Sequence, residues 1–228
     1  MKNVQEVVDQ VTRGLTTERQ KAVALHDYVR DNIKFGFDRA FDTADPDHTL
    51  TSLIGHCNPK TRLMVSLFRE MGLECYQHFV ALRKDIIEGL FSPGTKWILS
   101  LVKELSHSYV EVNLEGSWFK IDSYVVDPPL LKAAHHLLEK ENKSVGYGTR
   151  VGSTNTWDGM SDAFSQFDPS IMVEDQGRIE DLNAYYRSED YRHVFMGVRF
   201  NTVYKLFGGM ILPPINSHMD QIRLVATL

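Results

Sequence analysis

Gly55-His56-Cys57-Asn58-Pro59-Lys60-Thr61-Arg62-Leu63-Met64-Val65-Ser66-Leu67-Phe68-Arg69-Glu70-Met71 is the stretch whose reading decides the fold. Met64, Leu67, Phe68 and Met71 fall at i, i+3, i+4 and i+7, so one apolar stripe runs along a helix that begins at or just after Cys57. Pro59 suits the first turn, where its missing N–H costs nothing, and Gly72 stops the helix. Cys57 is therefore predicted at a helix N-terminus. Unpaired N–H groups and the positive end of the macrodipole there favour an anion, which pushes a thiol toward thiolate. Gly55 is expected to leave room for another chain or a substrate near the sulfur.

A nucleophile needs a base and something to orient it, and residues 105–122 (LSHSYVEVNLEGSWFKID) offer both. A two-residue turn at Glu115-Gly116 pairs Leu114 with Ser117, Val112 with Phe119 and Val110 with Ile121, giving one apolar face. The other face pairs Glu111 with Lys120 and Tyr109 with Asp122. His107 lies on that second face, diagonal to Asp122 at a backbone spacing of roughly 7–8 Å that two side chains can close. A slip of one residue would mix polar and apolar side chains on both faces.

A Gly-x-Cys that opens a helix, then His107-x-x-Val110-Glu111-Val112, then Trp118-Phe119-x-Ile121-Asp122, resembles the transglutaminase-like superfamily of papain-fold cysteine enzymes. The preceding helix, with Ala22, Leu25, Tyr28, Val29 and Ile33, resembles that family's entry segment, and the likeness covers about residues 17–127. Asp122-Ser123-Tyr124 stands where the family often shows Asp-Pro-Thr. The resemblance implies an α+β fold: a papain-like, transglutaminase-like core with the catalytic helix packed on an antiparallel sheet, and a C-terminal helical and loop extension. It also implies that Cys57 is the nucleophile, His107 the general base and Asp122 the orienting carboxylate. The expected reaction is acyl transfer on an amide or peptide bond through a thioester, hydrolysis favoured over transamidation, on a peptide, protein or small-molecule amide. Two alternatives stand beside it. An arylamine N-acetyltransferase-like enzyme shares the Cys, His, Asp order, but its Arg-Gly-Gly before the cysteine is missing. A catalytically idle binding module would be expected to lose one of the three residues, and all three are present.

The bulk composition fits such an enzyme. The chain has 228 residues, expected as a core over 1–127 and an extension over 128–228 packed on it. With 25 Lys plus Arg against 30 Asp plus Glu it carries no basic footprint for nucleic acid. Two cysteines make no disulfide framework and read as reduced thiols, Cys75 in an apolar strand of the core. Residues 1–6 lack an apolar signal core, and no run reaches the roughly 18 apolar residues a membrane span needs, so a cytoplasmic location is expected. No Cys, His and carboxylate set has metal spacing, and no cofactor motif is present, so neither metal nor cofactor is expected.

The remaining segments read as follows. Residues 3–13 form a short polar surface helix, and Thr17 with Gln20 makes a capping box for a helix ending near Lys34. Residues 35–50 read as a connecting loop, and 74–82 as a strand. Residues 83–105, with Ile86, Ile87, Leu90, Phe91, Ile98, Leu99 and Val102, are an apolar insertion before His107, read as core packing ahead of an acyl-chain wall or lid. Asp127-Pro128-Pro129 begins a helix through Leu138, and 142–177 form long ordered loops in which 155–159 could wrap the site. Residues 179–196 read as helical, and 207–228 as a Gly-Gly and Pro-Pro interruption before a last short helix. His56 is expected to face solvent.

Overall fold

The computed structural model describes residues 3–225; the ends of the expected N- and C-terminal segments, 1–2 and 226–228, lie outside the described residues. Helix α1 (Val4–Val11) is opened by an Asn3 and Glu6 capping box. It is less of a surface element than its polarity suggests, because Val7 and Val8 are buried where it packs on the helix of Cys57. Helix α2 (Glu18–Asn32) starts from the predicted Thr17 and Gln20 capping box and buries Ala22, Leu25 and Val29. Strand β1 (Lys34–Phe35) follows. Residues 35–50 are not plain loop: a 3-10 turn spans Phe41–Thr43, and α3 (Pro46–Ser52) begins where the Asp45 side chain accepts from the His48 N–H, with Pro46 in its first turn. Strand β2 (Ile54–Gly55) pairs parallel with β1, and α4 (Cys57–Glu70) then runs through the core with Leu63, Met64, Leu67 and Phe68 fully buried.

The sheet comprises β3 (Cys75–Arg83), β4 (Glu104–Leu114) and β5 (Ser117–Ile121), with the predicted hairpin register: Leu114 opposite Ser117, Val112 opposite Phe119 and Val110 opposite Ile121. Glu115 and Gly116 both have positive φ, 53° and 85°, as a turn matched to strand twist requires. One expected rung is absent. The Asp122 and Ser123 N–H groups both donate to the Ala163 carbonyl, so the chain leaves the ladder after Ile121 and Tyr109 has no cross-strand partner at Asp122. Helix α4 is riveted to β4: Thr61 Oγ1 donates to the Ser108 carbonyl (3.0 Å) and Ser108 Oγ donates to Asn58 Oδ1 (2.9 Å).

After Asp122 come α5 (Pro128–Glu141), capped by Asp127 as its Asp-Pro-Pro start predicts, and a small hairpin of β6 (Val145–Gly146) and β7 (Thr149–Arg150). Three readings of the C-terminal half are corrected. Met172–Ile179 is not loop but strand β8, antiparallel to β3, which gives the sheet the order β5-β4-β3-β8. Residues 179–196 hold only the short helix α6 (Leu182–Tyr185), ahead of β9 (Val194–Phe195) and β10 (Val198–Arg199). Helix α7 (Phe200–Val225) passes through both Gly208-Gly209 and Pro213-Pro214. Two prolines remove local hydrogen bonds, but burial of Phe200, Tyr204, Leu212, Ile215, Met219 and Ile222 along one stripe outweighs that loss. Gly208 packs closely there: a Cβ would meet the Arg39 side chain at 3.0 Å and Leu212 at 3.2 Å, so those side chains would have to shift. Among the described residues no helix is long and apolar enough to cross a membrane.

Candidate active site

Cys57 is the first residue of α4, as its sequence predicts, and is buried. Its Sγ lies 3.6 Å from Asn58 Oδ1 and 4.0 Å from the Ser106 carbonyl. The expected drift toward thiolate is reversed: burial pushes the thiol up, and the Asp42 carboxylate adds to the shift. Removing the thiolate from water outweighs the helix end. Gly55 does not hold space open for a ligand either. A Cβ there would meet the Lys60 and Pro59 side chains at 3.2 and 3.4 Å, so the room is taken by the chain's own α4.

His107, on β4, lines the same cavity as Cys57. Its Nε2 donates to Asp122 Oδ2 at 2.9 Å, since an ionised carboxylate can only accept, and Nδ1 is left as the nitrogen available to a thiol proton. Asp122 is itself gripped from a direction the hairpin did not reveal. Its Oδ1 accepts the N–H groups of Ser165 (2.5 Å) and Gln166 (3.1 Å), its Oδ2 accepts the Phe167 N–H (2.7 Å), and Ser165 Oγ donates to its carbonyl. Those donors come from the expected loop region, where no periodic or turn signal marks them. Residues 155–159 do not wrap the cavity: Trp157 is buried against His26, Phe68 and Phe119, away from it.

A second polar cluster, centred on Asp42, reaches Cys57 through its chain neighbours His56 and Asn58. Asp42 is fully buried; Oδ1 accepts from His56 Nε2 and Asn58 Nδ2, each at 2.7 Å, and Oδ2 from His193 Nδ1 at 2.7 Å and from the Tyr191 hydroxyl. Burial alone would raise this carboxyl, but His193 and His56 hold it well below the usual carboxylate range. His56 therefore does not face solvent. It is 3% exposed and stacked on Phe41, and burial lowers its pKa despite Asp42. Its Nδ1 is buried without a hydrogen-bond partner. Neither Asp42 nor His193 carries a sequence signal, because they meet His56 from elements far apart in the chain. Among the described residues no group of three or more His, Cys, Asp or Glu could hold a metal ion.

The insertion between β3 and β4 is both core and wall. Ile86, Ile87, Phe91, Ile98, Leu99 and Val102 are mostly buried, and all line the cavity into which Cys57 and His107 open.

A papain-like arrangement of this kind, a cysteine opening a helix against a strand histidine and a strand-end carboxylate, defines a class of protein rather than one member. The sequence profile of the transglutaminase-like superfamily matches residues 5–123, just over half of the chain, so the chain belongs to that superfamily. No curated protein matches it at a significant level. Among solved structures, a candidate cysteine protease from Cytophaga hutchinsonii is 16% identical over 55% of this chain and 38% of its own, with a TM-score of 0.41. A candidate protease from Parabacteroides distasonis ATCC 8503 is 13% identical over 51% of this chain and 22% of its own, with a TM-score of 0.36. The chain thus spans well under half the length of either structure.

Proposed function

We propose that the protein is a cysteine-dependent acyl-transfer enzyme acting on an amide or peptide bond, with Cys57 as nucleophile, His107 as general base and Asp122 as the residue that orients His107. The observation that carries this reading is the hydrogen bond of His107 Nε2 to Asp122 Oδ2, 2.9 Å, at the cavity into which Cys57 also opens. That bond fixes the tautomer whose Nδ1 lone pair can take a proton.

The buried thiol is neutral at rest, so its proton leaves as it attacks. His107 Nδ1 takes the Sγ proton while sulfur bonds to the carbonyl carbon and the C=O pair moves to oxygen. The backbone N–H of Cys57, at a helix start and so without an intrahelical acceptor, is suited to hold that oxyanion. The oxyanion then re-forms the carbonyl, the C–N bond breaks, and the imidazolium gives its proton to the departing amine. This leaves a thioester on Cys57. In the second half water attacks the thioester, His107 accepts its proton and returns it to the sulfur, and the acid departs. Water as the acceptor gives hydrolysis, the outcome favoured slightly here, whereas an amine entering where the first amine left would give a new amide.

Reaction with p-nitrophenyl acetate tests the reading. The expected result is a burst of nitrophenol matched to the amount of protein, with one acetyl group on the peptide containing Cys57. Cys57→Ala should lose both. A burst that survives Cys57→Ala, or an acetyl group on Cys75 alone, would rule the proposal out.

A further inference from the structure

Helix α7 has two apolar faces, and only one of them is covered. The inner face, with Phe200, Tyr204, Leu212 and Ile215, is buried against the core. On the outer face Leu206, Phe207, Met210, Pro213 and Pro214 stand at i, i+1, i+4, i+7 and i+8, the spacing that gathers side chains on one side of a helix. All five are exposed, Leu206 to 65%, Phe207 to 51% and Met210 to 73%. Just ahead of the helix, Met196 in the turn between β9 and β10, and Val198 in β10, are exposed as well. Single exposed apolar side chains are ordinary, but a contiguous strip of them marks a surface that meets something else.

The charges beside this strip are of one sign. Residues 191–219 contain no Asp or Glu, although the whole chain has 30 of them against 25 Lys plus Arg. Arg192, near the start of that run, is paired with Glu104 and Glu174. Arg199 and Lys205 form no ion pair among the described residues, and Arg199 donates instead to the Tyr186 and Arg187 carbonyls. Arg39 joins them from outside the helix. Its guanidinium donates to the Lys205 carbonyl at 3.1 Å, and its side chain lies against Gly208 and Gly209. The neighbouring carboxylate, Asp38, is taken up by His48 at 2.7 Å.

Together these two features decide the occupant. A second copy docked by two-fold symmetry would press a positively charged patch against itself, which is repulsive. An anionic lipid surface complements both parts: the apolar strip enters the boundary of headgroups and acyl chains, and the cations meet phosphates. The helix would lie along that surface, since no helix among the described residues is long and apolar enough to cross a membrane.

We infer that the outer face of α7 is a docking surface for anionic phospholipid membranes, with Leu206, Phe207 and Met210 inserted and Arg39, Arg199 and Lys205 at the headgroups. The inference is independent of the chemistry read at Cys57. It bears on the site all the same, because Phe200 and Tyr204, on the inner face of the same helix, line the cavity into which Cys57 opens. A docked protein thus holds that cavity one helix diameter, about 10 Å, from the lipid.

Co-sedimentation of the full chain with sucrose-loaded vesicles tests this, using phosphatidylcholine alone and an equimolar mixture with phosphatidylglycerol. The protein should bind the mixed vesicles, less so at high salt, and bind phosphatidylcholine alone far more weakly. Arg39→Gln and Lys205→Gln should each lower the partition coefficient about fivefold, and Phe207→Ser about tenfold or more. These side chains are exposed, so circular dichroism should show the fold unchanged in all three variants. No binding of the wild type to the mixed vesicles overturns the inference, as does undiminished binding of Phe207→Ser or equal affinity for the two vesicle types. A concentration-dependent dimer without lipid, abolished by Phe207→Ser, would also overturn it by assigning the face to a second copy.

Discussion

Asp122 holds His107 with one carboxylate oxygen and is held in turn by three backbone N–H groups from residues 165–167. Both oxygens face donors, so an amide at this position would turn its NH₂ toward N–H groups in either orientation. Asp122→Asn should therefore lower the rate of Cys57 acylation by about 10²–10⁴, the usual worth of a positioned general base, while circular dichroism shows the fold retained. A loss below about tenfold would mean that Asp122 does not orient the base. At this scale two local patterns reached part of the way: the helix start places Cys57, and the hairpin register carries the chain as far as Ile121, whereas the contact of Asp122 with His107 is set by backbone N–H groups from outside the hairpin. The state of the thiol was not legible, because position at a helix end is a property of sequence whereas burial is one of the whole fold. Asp42, His193 and the 165–167 clamp were missed for the same reason, being contacts between segments that share no element.

Helix α7 is fastened at its C-terminal end by Arg223, whose Nε and Nη2 reach the two oxygens of Asp127 at 3.0 and 2.6 Å, while Nη2 also donates to the Phe35 carbonyl. Asp127 is at once the N-cap of α5 and the acceptor of the Phe35 N–H, so one buried ion pair joins β1, α5 and α7. Arg223→Ala leaves that carboxylate buried and unpaired, and should destabilise the protein by about 3–5 kcal/mol, read from chemical denaturation. A change under about 1 kcal/mol, as for a surface pair, would show the contact to be solvated. Elements with strong local signals were readable: the capping box of α2, the Asp-Pro-Pro start of α5, the apolar stripe of α4 and the Glu115-Gly116 turn. Strand β8 and the continuity of α7 were not. β8 is an edge strand whose sequence, Met172-Val173-Glu174-Asp175-Gln176-Gly177-Arg178-Ile179, is mostly polar and takes its order from pairing with β3. In α7, tertiary burial overrides two prolines and two glycines that locally argue for a break.

Over the whole molecule, buried titratable groups set the response to acid. Burial lowers the pKa of His26 and of His56 below the ordinary histidine value, so the unfolded chain takes up their protons at a higher pH than the folded one. Stability is then lost as pH falls below about 6.5, the unfolded histidine value. Asp42 and Asp127, whose carboxyls are held low against the cost of burial, act in the same direction further down, below about 4. Lys60, fully buried and lowered to about 7 by burial, also gains no proton advantage on folding. The melting temperature should therefore drop between pH 7 and pH 5 and fall more steeply below pH 4; a rise over the first interval would contradict the assignment of neutral buried histidines. The central hairpin followed from the alternation of its residues, and the α+β class from the family resemblance. The way residues 163–167 and α7 close over the site depended on long-range packing that no single stretch encodes.

The most direct measurement of the central claim is the rate at which iodoacetamide alkylates Cys57 at neutral pH, in the wild type and in His107→Ala, with mass spectrometry separating Cys57 from Cys75. If His107 takes the thiol proton, its removal should slow Cys57 by about 10²-fold or more and leave a buried thiol that reacts only above the ordinary value of about 8.5. Equal rates in the two proteins would mean that Cys57 and His107 do not act together, and the acyl-transfer account would fail.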